Sequence, residues 1–282
     1  MLYLILAIVC SSAVSLLMRW SEKHVRNNFA MFMANYFTCA LIAFCFAAPK
    51  LPLSDTKGLP FAALLGLVGG AIFLLNFVVL KRCIGASGVM LSSVFMKLGV
   101  IVPTLMAVLV FGESPTLMQI IGLAVAIAAI LIIYLEPKAQ RTKSGGAAAL
   151  MLIALLIISG FAESMTNIYD KTGVHALKDF FLLFNFSSAL LISAIVTIAK
   201  RQPIGVKDIA FGVMIGAPNY FTSRCLLLAL GSLPAVVTYP IYNIGAIVLI
   251  SIGGMLIFRE RLSSRKLIGI LMILAALVLL NL

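Results

Sequence analysis

Three charged side chains stand inside long apolar stretches of this 282-residue chain: Lys97, Glu163 and Arg224. A charge at bilayer depth costs at least about 2.5 kcal/mol on insertion scales, so each is expected to face a partner or a cavity. A lone carboxyl such as Glu163, held in a low-dielectric cavity, is suited to take up and release a proton. Lys97 and Arg224 are suited to hold the negative group of a solute. Glu163 and Arg224 each precede the outer end of their apolar stretch by about six residues, roughly 9 Å at the helical rise of 1.5 Å per residue. Lys97 lies nearer the middle of its own stretch, so the three are expected to meet in one central site. The structural reading of the same residues is an ion pair that locks helices together. For Arg224 it is also a side chain that snorkels toward the interface.

Polar neighbours extend this candidate site. Asn76, Asn219, Tyr239, Tyr242 and Asn243 offer hydrogen bonds and aromatic faces to a polar or cationic solute. Asn35 and Asn185, at similar places in their own apolar stretches, read as interhelical hydrogen-bonding residues. The two histidines, His24 and His175, fall in connections and form no metal or triad arrangement. Cys10, Cys39, Cys45, Cys83 and Cys225 are odd in number and scattered through apolar stretches, which reads as buried small hydrophobes. No metal and no cofactor are expected.

The elements that must position these residues follow from composition. With 63% hydrophobic and 11% charged residues, the chain has too little polar surface to cover a water-soluble globule. The expected fold class is an all-α integral membrane protein. Ten stretches, near 2–18, 29–48, 60–80, 86–111, 116–135, 147–169, 180–199, 208–230, 233–258 and 262–281, approach or exceed the roughly 20 apolar residues that a spanning helix needs. Pro103 and Pro240 fall inside them and read as kinks, since neighbouring helices can satisfy the freed backbone groups.

The net charge of +12 is not the mark of a nucleic-acid binder, because the basic residues are distributed by topology. Arg19, Lys23, Arg26, Lys81, Arg82, Lys138, Arg141, Lys143, Lys200, Arg201, Lys207, Arg259, Arg261, Arg265 and Lys266 fall on one side of a ten-span arrangement. Lys50, Lys57, Lys171 and Lys178 fall on the other. Such a bias places the odd-numbered connections in the cytoplasm and both termini outside.

The chain also reads as a duplication. Gly85 and Gly231 lie 146 positions apart, as do Gly99 and Gly245, and Gly70 and Gly216; Glu113 and Glu260, and Gly122 and Gly269, lie 147 apart. A nearly constant offset over several spans divides the chain into a five-helix repeat at 1–136, a cytoplasmic linker at 137–146 and a second five-helix repeat at 147–282. Inverted repeats around a central cavity are the architecture expected of a carrier.

Several segments resemble the small multidrug resistance transporters. Tyr239-Pro-Ile-Tyr242-Asn243-Ile-Gly245, Leu249-Ile-Ser251, Arg259-Glu260-Arg261-Leu262 and Ile268-Gly269-Ile270 are similar to the third and fourth helices of that family. Ala162-Glu163 followed by Lys171 is similar to its first helix, while the first half keeps Leu17-Met18-Arg19-Trp20-Ser21-Glu22 and has Ser11 where the carboxylate falls. Taken together the halves resemble a fused, diverged ten-span member of the wider drug/metabolite transporter superfamily, in its EamA-like branch. The resemblance implies alternating access around a central cavity, with Glu163 as the proton and substrate carboxylate and Tyr239 and Tyr242 lining the pocket. Lys97 stands where Asn243 stands in the other half, and Arg224 adds a second cation; two fixed cations against one carboxylate disfavour a bare organic cation.

The expected function is secondary active transport of a small polar metabolite, zwitterionic or anionic, such as an amino acid. Antiport with protons through Glu163 and metabolite export are the expected mode, in a bacterial-type inner membrane. The alternatives are a multidrug or cationic-compound exporter, and a lipid-carrier flippase or its partner subunit. The expected partners are the solute and membrane lipid, with no nucleic acid, and the expected state is a monomer or homodimer. No His-Glu-x-x-His helix, Gly-x-Ser-x-Gly turn, paired intramembrane aspartates or nucleotide-phosphate loop is present, so an enzyme is not expected.

Overall fold

The computed structural model of the chain describes residues 1–50, 57–102, 116–134, 145–231, 235–259 and 264–280. Hydrocarbon supplies no hydrogen-bond partner, so a spanning segment must pair its backbone groups within itself. Among the described residues the chain accordingly forms helices and no strands. The α-helices are α1 (Leu2–Ser21), α2 (Asn28–Ala47), α3 (Leu59–Ser87), α4 (Val89–Lys97), α5 (Leu117–Tyr134), α6 (Gly145–Thr172), α7 (Lys178–Lys200), α8 (Val206–Leu230), α9 (Ala235–Phe258) and α10 (Ser264–Leu280).

Among the described residues, seven segments are long and apolar enough to cross a membrane: Leu2–Ser21, Asn28–Lys50, Leu59–Ser87, Gly146–Thr166, His175–Lys200, Val206–Leu230 and Ile241–Phe258. Shorter apolar lengths of Val89–Val100, Leu117–Ala126 and Leu267–Leu279 belong to α4, α5 and α10. Two sequence-based bounds need correction. The third helix runs past 80 to Ser87, carrying Lys81 and Arg82 within it. The fourth does not begin at 86, because Gly88 adopts φ 86° and ψ 165°, a conformation that side-chain-bearing residues rarely take, and thereby separates α3 from α4. Pro240 lies inside α9 and does not end it. Pro103 and most of the linker, residues 137–144, lie outside the described residues.

Local chemistry accounts for the helix starts. Asn27 caps α2, its Oδ1 accepting from the backbone N–H of Phe29 and of Ala30, each at 3.1 Å. Asp208 accepts from the N–H of Gly205 at 2.9 Å to cap α8, and its other oxygen accepts from the N–H of Arg26 at 2.9 Å. One carboxylate thus ties the connection between α1 and α2 to the start of α8. Buried hydroxyls close on their own helix: Ser12 donates to the Ile8 carbonyl at 2.8 Å, Ser164 to Gly160 at 2.8 Å and Thr197 to Ser193 at 2.7 Å.

Helix α1 packs on α8 and α9, and α6 packs on α3 and α4; α2 packs on α7 and α8, α3 on α7, and α5 on α10. Two crossings are set by glycine. A Cβ at Gly70 would meet the Asn185 carbonyl oxygen at 2.1 Å and Ser188 at 2.8 Å, and one at Gly66 would meet Phe184 at 2.7 Å. A Cβ at Gly216 would meet Thr38 at 2.6 Å and the Asn35 carbonyl oxygen at 2.7 Å, and one at Gly212 would meet Ala34 at 2.5 Å. Backbones approach this closely because lipid provides no hydrophobic drive between helices, leaving van der Waals contact between small residues to hold them. Gly70→Ala is expected to cost about 1–3 kcal/mol of overpacking and to lower the thermal unfolding midpoint in detergent. Gly146→Ala, where a Cβ meets nothing within 4 Å, is expected to leave that midpoint unchanged.

Candidate functional site

The polar residues of seven helices converge on one cavity of about 130 Å³. Helix α6 contributes Glu163, Ser159 and Thr166, and α4 contributes Lys97; Asn76 comes from α3, Asn219 and Thr222 from α8, Tyr242 from α9. Lys97 is the last residue of α4, where the helix tightens into the 3-10 turn Leu98–Val100. That tightening meets α6 at a close crossing, since a Cβ at Gly99 would lie 2.5 Å from Ser159 Oγ and 2.7 Å from the Gly160 nitrogen. Ser159 Oγ donates to the Met96 carbonyl at 2.9 Å, anchoring the turn to α6 beside the cavity. The backbone geometry therefore delivers Lys97 and Glu163 to the same space.

Their electrostatics are unusual for so buried a pair. Lys97 is 4% exposed, and its Nζ sits 3.8 Å from the centroid of the Tyr242 ring. Its charge acts on the Glu163 carboxyl, yet among the described residues no ion pair joins them. Glu163 Oε2, Asn76 Oδ1, Asn185 Oδ1 and Ser15 Oγ have no hydrogen-bond partner among the described residues, and all four residues line the cavity. Buried polar groups without partners are rare in folded proteins and call for an explanation. Four of them around one space leave hydrogen-bonding capacity directed at whatever enters it.

The expectation that all three intramembrane charges meet is corrected for Arg224. Its guanidinium pairs with Asp179 of α7, receives support from Tyr220 Oη at 3.0 Å and stacks 3.7 Å from the Phe46 ring centroid. Lys50 pairs with the other Asp179 oxygen at 2.6 Å. Arg224 is thus one of two cations on a buried carboxylate, outside the cavity lining, and an ion pair with a different acid than Glu163. Asn243 is fully buried but does not line the cavity, and both its side-chain polar atoms have no partner among the described residues. Tyr239 belongs to α9, with its side chain outside the described residues. Asn35 does bond across helices, accepting from Asn219 Nδ2 at 3.3 Å, whereas Asn185 lines the cavity.

Sequence reasoning missed Ser11 as a lining residue, along with Ser15, Phe73, Phe77, Thr222 and Ser223. A nearly constant offset between the two halves of the sequence finds all of them except Ser15. At 146 positions Phe73 pairs with Asn219, Asn76 with Thr222, Phe77 with Ser223, and Met96 with Tyr242; at 152 positions Ser11 pairs with Glu163 and Val14 with Thr166. Both members of every one of these pairs line the cavity.

Comparison with known proteins now bears on this geometry. Residues 1–135 match the EamA-like transporter family. The EamA-like match bears out the resemblance to the drug/metabolite transporter superfamily, and it falls on the half opposite to most of the residues that carried the resemblance. An uncharacterized protein of Haemophilus influenzae is 26% identical over 286 aligned positions, covering 97% of this chain and 95% of its own length. A candidate sugar uptake protein of Listeria monocytogenes and one of Listeria innocua are each 28% identical over 190 residues, 64% of either chain. A crystal structure of a protein 12% identical in sequence superposes with a TM-score of 0.61 over 99% of this chain and 94% of that one, a likeness of fold. Apolar helices, together with a first half that matches the EamA-like transporter family, mark a multi-pass membrane protein.

The Asp179 cluster has a direct consequence for stability. Removing the carboxylate in Asp179→Ala leaves Arg224 uncompensated, at a cost of about 2 kcal/mol, below the roughly 3–5 kcal/mol of a fully buried pair, because the Arg224 side chain keeps 20% exposure. Thermal unfolding in detergent is expected to show a lowered midpoint, partly recovered in Asp179→Ala/Arg224→Leu.

Proposed function

We propose that this protein is a secondary active transporter in which Glu163 exchanges a proton against a small zwitterionic or anionic metabolite held by Lys97. The observation that carries this reading is the pairing that does not occur: a cation and a carboxyl share one cavity without an ion pair between them. An amino-acid-like solute supplies the missing partners. Its carboxylate meets Lys97 and its ammonium meets Glu163, with Asn76 and Asn185 accepting further hydrogen bonds. Proton and ammonium compete for the same carboxyl, which is the requirement for coupled antiport.

The architecture in this reading is two inverted five-helix repeats, 1–136 and 147–282, around the cavity. Support comes from the offsets of the packing itself. Gly66 and Gly70 cross Phe184, Asn185 and Ser188 of α7 as Gly212 and Gly216 cross Ala34, Asn35 and Thr38 of α2, with offsets of 146 on one side and 150 on the other. The same holds where Gly99 meets Gly160 and Gly245 meets Ile8, at offsets of 146 and 152. In an inner membrane, the biased basic residues place the odd-numbered connections in the cytoplasm and the termini outside.

A cationic-drug exporter is less well supported, because Lys97 already occupies the Tyr242 face that an organic cation would use. A second reading, uptake of a sugar, is favoured by the Listeria relatives and by the unpaired amide and hydroxyl groups beside the rings of Phe73 and Phe77.

Proton release from purified protein, on adding amino acids, organic anions, organic cations, sugars or lipid-linked carriers, tests all these readings at once. Release on adding a zwitterion or anion, lost in Glu163→Gln, is the expected result. Lys97→Gln is expected to weaken binding of that solute at least tenfold. Binding of sugars alone, without proton release, would move the assignment to the second reading.

A further inference from the structure

We infer that a groove at the basic end of the molecule, between the last turns of α1 and α9, binds an anionic phospholipid. The groove encloses about 850 Å³ and is separate from the transport cavity, sharing no lining residue with it. Such a volume lies within the range of small-molecule sites.

Its rim is cationic. Among the described residues, Arg19, Lys23 and Arg259 line it, together with His24 and one acid, Glu22. Glu22 is engaged elsewhere: its Oε1 lies 2.8 Å from Lys81 Nζ, and Lys81 is only 4% exposed. The pair cancels, leaving the rim positive. Arg259 is held at this point by a left-handed backbone, φ 53°, directly after the last residue of α9. His24 donates from Nδ1 to the Trp20 carbonyl at 3.0 Å and stacks on Phe211, so the α1 end is ordered around the rim.

Its walls are apolar and face outward. Leu16 and Leu17 come from α1, and Ile257 and Phe258 from α9. Ile257 is 65% exposed and continues the bare surface of Met255 and Leu256, so the wall runs on into the part of α9 that faces hydrocarbon. A soluble anion would satisfy the rim and leave this wall uncovered. A phospholipid satisfies both, its phosphate at Lys23 and Arg259 and an acyl chain along Leu16 and Ile257. Basic pockets between spanning helices suit such head groups, and each cation contributes about fivefold in affinity.

The chain contains a single tryptophan, and Trp20 lines this groove. Its emission therefore reports occupancy without a label. Full-length protein is placed in phosphatidylcholine nanodiscs containing increasing fractions of brominated phosphatidylglycerol or brominated phosphatidylcholine. Saturable quenching of Trp20 at low fractions of the brominated anionic lipid is expected, with only proportional quenching by the zwitterionic one. Lys23→Gln is expected to weaken the half-saturating fraction about fivefold and Lys23→Gln/Arg259→Gln about 25-fold, while Lys23→Arg/Arg259→Lys retains it. Unfolding midpoints of the variants in plain phosphatidylcholine discs check that the fold survives, and the exposed Lys23→Gln alone decides the matter if the double variant does not fold. Equal quenching by the two lipids, unchanged half-saturation in the variants, or displacement of the lipid by glycerol 3-phosphate at equal concentration would each overturn the assignment.

Discussion

Hydrocarbon accepts and donates no hydrogen bonds, and nearly every feature of this fold answers to that constraint. The backbone answers with helices. Hydroxyls answer by bonding to the preceding turn, as Ser12, Ser164 and Thr197 do. Charges answer in two ways. Lys81 bonds Glu22, Ser21 and the Met18 carbonyl, and Arg224 bonds Asp179 and Tyr220, so both are neutralised where they are buried. Lys97 and Glu163 follow a different course, and their lack of mutual pairing singles out the cavity.

Cavity and crossings depend on each other. For helices to surround an open space they must touch closely elsewhere, and glycine supplies that contact at Gly66, Gly70, Gly212 and Gly216. The same crossings place Asn35 and Asn185 beside the packed backbone, one bonded to Asn219 and the other lining the space. The Gly99 crossing acts more directly on the cavity. By admitting Ser159 and Gly160 against α4, it holds the tightened turn that presents Lys97.

Much of this was legible in the sequence because membrane constraints are written in composition. Apolar length and rare intramembrane charge identify the fold class and select Lys97 and Glu163 without coordinates. What was not legible is rotation about each helix axis. Arg224 lies within α8, but its face of that helix turns toward Asp179 instead of toward Glu163. Asp179, close to the start of an apolar stretch, gave no sign that it would be buried with two cations. The helix boundary at Gly88 was likewise hidden, since a glycine in an apolar run signals either packing or a break until its φ is known.

The paired positions around the cavity differ in chemistry between the first and second halves of the sequence. Geometry is largely shared, because both members of six pairs reach the lining, although Asn243, the counterpart of Lys97, does not. Chemistry is not: Phe73, Phe77 and Met96 face Asn219, Ser223 and Tyr242, and Ser11 faces Glu163. The second half thus supplies most of the polar groups and the acid, while the first supplies the cation through Lys97. On the transport reading proposed above, a solute with a group for each charge must bridge the two halves. Its binding energy then depends on their relative position, and differential binding to two arrangements is what shifts one into the other. A neutral solute gripped by the polar half alone would lack that leverage, so within that reading the split of Lys97 and Glu163 between the halves favours a dipolar solute on mechanical as well as chemical grounds.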